Sequence, residues 1–141
     1  MSRYIIAVDA MGGDNAPDAI VAGAVRALRE SSELGVLLAG PEERLRALLQ
    51  NAQDVQDRIE ILPADEVIGM DEAPMLAVRK KVGSSMVQAA MAVRAGKAQA
   101  MVSAGSTGAV LACGMLRVGR IRGIERPALA ALIPGLNGQF C

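Results

Sequence analysis

The chain has 141 residues, 52% of them hydrophobic and 21% charged, with 15 basic residues balanced by 15 acidic ones. That apolar content excludes disorder, and a chain of this length buries roughly 70% of its unfolded surface, enough for one domain core. Zero net charge with a single Tyr and a single Phe gives neither the field nor the stacking surface of a nucleic-acid binder, and the absence of histidine removes His-based triads and His metal ligands.

Tyr4 to Val8 is a continuous aliphatic run suited to a buried strand. It is short and ends in Asp9, which fits neither a signal peptide nor a membrane span. Gly12 and Gly13 break it. Pro17 suits the first position of a helix whose apolar face is Ile20, Val21, Ala24, Val25 and Leu28. Val36 to Ala39 predicts a second strand. Gly40-Pro41-Glu42-Glu43 opens a second helix with acids in its first turn, where the macrodipole favours them, and Leu45, Leu48 and Leu49 continue its apolar face. Ile59 to Leu62 predicts a third strand, stopped by Pro63.

Asp65 to Pro74 reads as a loop, followed by a short helix from Met75 to Lys81. Gly83 breaks that helix, and Ser84 or Ser85 caps the next, which presents Val87, Ala90, Met91 and Ala95 before Gly96. Ala100 to Val102 is a short strand. Ala109 to Val118 predicts a helix with Val110, Cys113 and Leu116 or Arg117 on one face and Gly114 as a weak point. Ala128 to Ile133 reads as a strand, and residues 135–141 as a loop. The alternation predicts an α/β fold of three layers, α/β/α, around a mostly parallel sheet.

Two junctions share one design of strand, Gly-rich turn and helix: Val8-Asp9-Ala10-Met11-Gly12-Gly13-Asp14 and Val102-Ser103-Ala104-Gly105-Ser106-Thr107-Gly108. In a parallel sheet both turns lie at the carboxyl edge of the strands, where open α/β folds bind ligands. Glycines admit an anion to the backbone N–H groups, a helix N-terminus adds positive potential, and hydroxyls add donors. The second turn is therefore a candidate phosphate cradle; otherwise it is a tight turn with Ser106 or Thr107 as N-cap. In the first turn Asp9 and Asp14 repel a phosphate unless paired, and can instead hold a cation, orient a basic residue or, with Asn15, supply a helix cap. Neither turn is a standard nucleotide motif, which disfavours a nucleotide-binding Rossmann module. Ser84-Ser85 is a second helix start open to an anion or to ordinary capping.

Arg79-Lys80-Lys81 and the set Arg117, Arg120, Arg122 and Arg126 can bind phosphate or an acidic partner, or form a solvated face. Cys113, on an apolar helical face, reads as a buried structural thiol, and Cys141 as an exposed terminal one. Two cysteines make no disulfide framework, and a cytoplasmic location is the default.

The stretches Ala7-Val8-Asp9-Ala10-Met11-Gly12-Gly13-Asp14 with Ala16-Pro17, Ala64-Asp65-Glu66-Val67-Ile68, Gly83-Ser84-Ser85-Met86, Ser103 to Ala109 and Gly119 to Leu129 occur in an order and spacing that resemble the bacterial phosphate acyltransferase family. Residues 1–141 then correspond to the N-terminal part of that domain. The resemblance implies a fold similar to the isocitrate and isopropylmalate dehydrogenases. It implies an enzyme converting acyl carrier protein thioester and orthophosphate to acyl phosphate for phosphatidic acid synthesis, with no cofactor or metal. It further implies a homodimer loosely associated with the inner membrane face. The candidate phosphate and substrate residues are Asp9, Gly12, Gly13, Asp14, Ser84, Ser85, Ser103, Gly105, Ser106, Thr107 and Gly108. This sequence departs from the family in carrying Ser106 where Asn is usual. It also lacks the family's second half, where the catalytic candidates lie, so no catalytic residue is assigned. The alternatives are a non-catalytic fragment with unpaired strand edges and a phosphate acetyltransferase-like enzyme using coenzyme A.

Overall fold

The structure is a computed structural model that describes residues 4–130. Four strands, β1 (Tyr4–Asp9), β2 (Leu34–Gly40), β3 (Ile59–Pro63) and β4 (Ala100–Val102), form one sheet in the order β3-β2-β1-β4. Every pairing is parallel. Parallel neighbours need crossovers. These are α1 (Asp18–Glu30), α2 (Glu42–Leu48) with a 3-10 turn at Gln53–Arg58, and then α3 (Pro74–Lys80) with α4 (Ser85–Arg94). After β4, α5 (Thr107–Cys113) runs into a π turn at Gly114–Val118.

Alternation along the strands sorts the core into two faces. Ile6, Val8, Val36, Leu38, Ile59 and Ile61 pack with Val21, Val25 and Leu28 of α1 and Leu45 of α2. Ala7, Leu37, Ala39 and Leu62 point the other way, where the small Ala89 and Ala92 let α4 lie close to the sheet. Val78, Met86, Val87, Ala109, Ala112 and Cys113 then join α3, α4 and α5. Helices cover both faces, giving the three-layer α/β/α arrangement.

Several boundaries differ from the sequence expectation. Pro17 is the N-cap and α1 starts at Asp18, with no side chain capping it. α3 starts at Pro74 and ends at Lys80. Of the expected face of α4, Val87 and Ala90 are buried, whereas Met91 is 40% exposed and Ala95 is exposed, because α4 is gripped between the sheet and α3 and α5 and also buries Ser85, Met86, Ala89 and Ala92. The expected helix at 109–118 begins at Thr107 and changes character at Gly114, where the Gly119 N–H donates to the Gly114 carbonyl at 2.8 Å. Ala128–Ala130 is irregular rather than a strand; residues 131–133, and the expected exposed Cys141, lie outside the described residues.

Arg58 secures the end of the first crossover. Its guanidinium donates to the Leu28 and Ser31 carbonyls, both at 2.7 Å, and so satisfies the open end of α1. Arg29 adds a bidentate pair with Asp54 at 2.8 and 2.9 Å.

The strand order decides where a ligand can sit. The chain winds outward from β1 to β3, then returns past β1 to β4. The helix after β1 packs on one face of the sheet and α5, after β4, belongs to the opposite side. The helices that follow β1 and β4 therefore leave the sheet on opposite sides, and the turns before them sit at a topological switch point at the carboxyl ends of the strands, the place where open α/β folds bind ligands.

Candidate functional site

Asp9 closes β1, and folding buries it to 2% exposure. A buried carboxylate is costly unless hydrogen-bonded. Ser85 Oγ donates to its Oδ1 at 2.6 Å, Ser103 Oγ to its Oδ2 at 2.7 Å, and the Met11 N–H to Oδ1 at 3.2 Å. These bonds draw together the turn after β1, the start of α4 and the turn after β4. Among the described residues no cation pairs with Asp9.

Gly12 seals this junction. A Cβ there would lie 2.7 Å from Asp9 Oδ2 and 2.8 Å from both the Gly105 nitrogen and Ser103 Oγ. Gly13 has φ +100°, a conformation that favours glycine, and rests on Ala104. The two Gly-rich turns therefore pack on one another. The Gly105 N–H is held by Ser103 Oγ at 3.0 Å.

Beyond Gly105 the donors are open. Ser106 stands at the N-cap of α5 and is 8% exposed, yet its hydroxyl makes no capping bond. The backbone bond that closes on this residue is from the Val110 N–H to the Ser106 carbonyl. The first-turn amides of Thr107, Gly108 and Ala109 thus have no intrahelical acceptor. Thr107 and Gly108 are exposed. Gly108 also lets α5 approach α3, since a Cβ would meet Pro74 Cγ at 2.8 Å.

The 83–85 segment is anchored differently. The Gly83 N–H donates to Glu66 Oε2 at 2.9 Å, and the Ser85 N–H to the Glu66 carbonyl at 3.1 Å. Ser84 Oγ donates to the Lys81 carbonyl at 2.7 Å. Ser84 and Ser85 are buried, with both hydroxyl protons committed. Asp14 is exposed and makes no hydrogen bond or ion pair among the described residues. Asp9, Gly12, Gly13, Ser85, Ser103 and Gly105 thus share one junction. Ser106, Thr107 and Gly108 adjoin it, Ser84 lies beside it, and Asp14 stands apart. Glu66 has a structural part that sequence reading missed, although its stretch was among those carrying the resemblance.

Of the basic residues, Lys81 is tied to Glu72 Oε1 at 2.6 Å and to the Val67 carbonyl at 2.8 Å. The Lys81 bond, with the Gly69 N–H, holds the Glu72 carboxyl below its ordinary range. Arg79 and Lys80 are exposed. Arg117 turns inward and donates to the Val78 carbonyl at 2.7 Å, whereas Arg120 bonds the Glu125 carbonyl on the surface. Burial pushes the Cys113 thiol up to about 11, with Arg117 opposing and Asp9 adding to the rise. A thiol so poor in thiolate is packing rather than a nucleophile.

Residues 4–141 match the family described as fatty acid synthesis protein. A phosphate acyltransferase of Geobacillus thermodenitrificans is 52% identical over 134 residues, which is 95% of this chain and 40% of that protein. The phosphate acyltransferase of Bacillus cytotoxicus is 51% identical over 134 residues, 95% of this chain and 39% of that protein. That of Clostridium acetobutylicum is 46% identical over 136 residues, 96% of this chain and 41% of that protein. The chain thus spans about two fifths of the length of these curated relatives.

Proposed function

The chain belongs to the fatty acid synthesis protein family, and we propose on that premise that it carries the phosphate-binding part of an acyl carrier protein:phosphate acyltransferase. The observation that supports this reading is the set of uncommitted donors at Ser106, Thr107 and Gly108, placed at the switch point between β1 and β4. The hydroxyls of Ser106 and Thr107 and the first-turn amides of α5 hold orthophosphate there. Asp9, Gly12, Gly13, Ser85, Ser103 and Gly105 form the floor beneath it. Ser84 steadies the neighbouring helix start, and Asp14 faces the solvent at the rim.

The reaction is attack by a phosphate oxygen on the carbonyl carbon of an acyl carrier protein thioester. A C–O bond forms, the C–S bond breaks, and the thiolate leaves on the carrier. Holding phosphate in place supplies the proximity component of catalysis, and donors near the developing oxyanion supply the electrostatic one. No enzyme nucleophile is needed, in keeping with a chain without histidine. We place the complete enzyme in the cytoplasm as a homodimer with peripheral membrane association. Among the described residues no helix is long and apolar enough to cross a membrane.

The test follows free thiol release from acyl carrier protein thioester with and without orthophosphate. It uses the chain alone and the chain extended by the C-terminal remainder of the Geobacillus relative. Phosphate-dependent release in the extended protein, with a raised phosphate KM in Ser106→Ala/Thr107→Ala, is the expected result. An unchanged phosphate dependence in that variant sinks the reading.

A further inference from the structure

We infer that Asp9 is a positioning residue for the proposed phosphate cradle, acting through Ser103 rather than on the anion. The inference rests on the reading of residues 106–108 given above. A carboxylate that touched phosphate would repel it, and both Asp9 oxygens already accept hydrogen bonds from serines. What Asp9 decides is the direction of one hydroxyl. A serine hydroxyl has one proton and two lone pairs. With its proton given to Asp9 Oδ2, Ser103 Oγ turns a lone pair toward the Gly105 N–H. That second bond pins the backbone between β4 and α5.

The carboxylate itself is held at both ends, since Ser85 on α4 donates to Oδ1 and Ser103 to Oδ2, and the space beside Oδ2 is too small to admit a Cβ on Gly12. The chain of contacts therefore runs from the sheet through Asp9 and Ser103 to Gly105, and sets how the next three residues present their donors. The charge matters for orientation: a neutral amide at position 9 offers Ser103 a donor where it now finds an acceptor, and the hydroxyl proton is released from its alignment.

The sign of the effect separates this role from simple proximity of a negative charge. Removing a charge that only repels phosphate tightens binding; removing a charge that positions the cradle weakens it. Orthophosphate titrated calorimetrically into the 141-residue chain and into Asp9→Asn, Ser103→Ala, the double variant and Thr107→Ala decides between them, with circular dichroism checking each fold. Asp9→Asn and Ser103→Ala are each expected to weaken binding on the order of tenfold, the scale of one charge-assisted hydrogen bond. Because both act through one bond, the double variant is expected to be no weaker than Ser103→Ala alone. Unchanged or tighter binding by a folded Asp9→Asn, or a double loss equal to the product of the single ones, overturns the inference. No saturable binding by the parent chain, or an unaffected Thr107→Ala, overturns the cradle reading and the inference with it. If Asp9→Asn does not fold, Ser103→Thr decides. Retained affinity in Thr with loss in Ala supports the relay, and equal affinity in both overturns it.

Discussion

Replacing Gly12 by Ala tests the packing of the two Gly-rich turns with a single methyl group. Gly12 does not have a left-handed φ, so alanine is conformationally allowed and the effect is steric alone. The added carbon would sit 2.7 Å from Asp9 Oδ2 and 2.8 Å from the Gly105 nitrogen and Ser103 Oγ. None of these is the loose end of a flexible side chain: the two side-chain oxygens are hydrogen-bonded to each other, and the third atom is backbone. Overpacking costs roughly 1–3 kcal/mol, and losing one charge-assisted bond to the buried carboxylate adds about 1.5–3 kcal/mol. A net loss of about 3 kcal/mol lowers the melting temperature of a domain this size by roughly 12 °C, at about 4 °C per kcal/mol. Gly23→Ala is the control. Gly23 lies within α1, and a methyl there meets nothing within 4 Å. Alanine at such a helical site stabilises by up to about 1 kcal/mol, raising the melting temperature by roughly 4 °C. Thermal unfolding followed by circular dichroism reads both. A Gly12→Ala protein that melts within a degree or two of the parent, or a Gly23→Ala protein that falls as far as Gly12→Ala, refutes the packing argument.

Cys113 is expected to stay unalkylated by iodoacetamide at pH 8 in the native protein and to react after denaturation, read by mass spectrometry of its own peptide; rapid native labelling contradicts the buried thiol. Arg58→Ala is expected to destabilise by about 1–3 kcal/mol by leaving carbonyls at the end of α1 without donors, and Arg58→Lys to restore only part, because one ammonium cannot reproduce the fork; denaturant midpoints measure both. The Arg29 guanidinium beside Asp54 holds that carboxyl below its usual range. Its folded pKa is depressed, so the stability it contributes is present above about pH 4 and is lost as the pH falls below that value. Asp54→Asn is therefore expected to flatten a small part of the acid limb of a stability–pH curve, and more visibly at low salt, since the pair is exposed; an unchanged acid limb at low salt counts against the pairing.

The layers of the fold were legible because the apolar runs of β1, β2 and β3 and the face of α1 follow simple periodicities. Zones of tight packing were less so. Met91 looked like a core residue by spacing, but α4 is buried on two sides and turns its alanines to the sheet. The 3-10 turn at Gln53–Arg58 carries few apolar residues and leaves no periodic trace. At the candidate site, sequence reading found the two Gly-rich turns and the Ser84-Ser85 helix start, because glycine and serine beside a strand end suggest them. It did not show that they meet. Asp9 and Asp14 looked alike in the sequence, yet one is buried under three donors and the other faces water. Only the strand order, with β4 returning beside β1, separates them.

The bonds from Asp9 to Ser85 and Ser103 span 76 and 94 positions of the chain. Contacts so distant in sequence are slow to form, since long loops must close before any interaction repays them. During synthesis β1 therefore emerges with a carboxylate whose partners do not yet exist, and burying that end of the strand early carries a penalty. The β1-α1-β2 crossover closes over a much shorter stretch of chain, whereas the junction needs β4. The junction is thus a long-range feature of the fold: a chain that has formed only its first two strands has Asp9 but neither of the serines that donate to it.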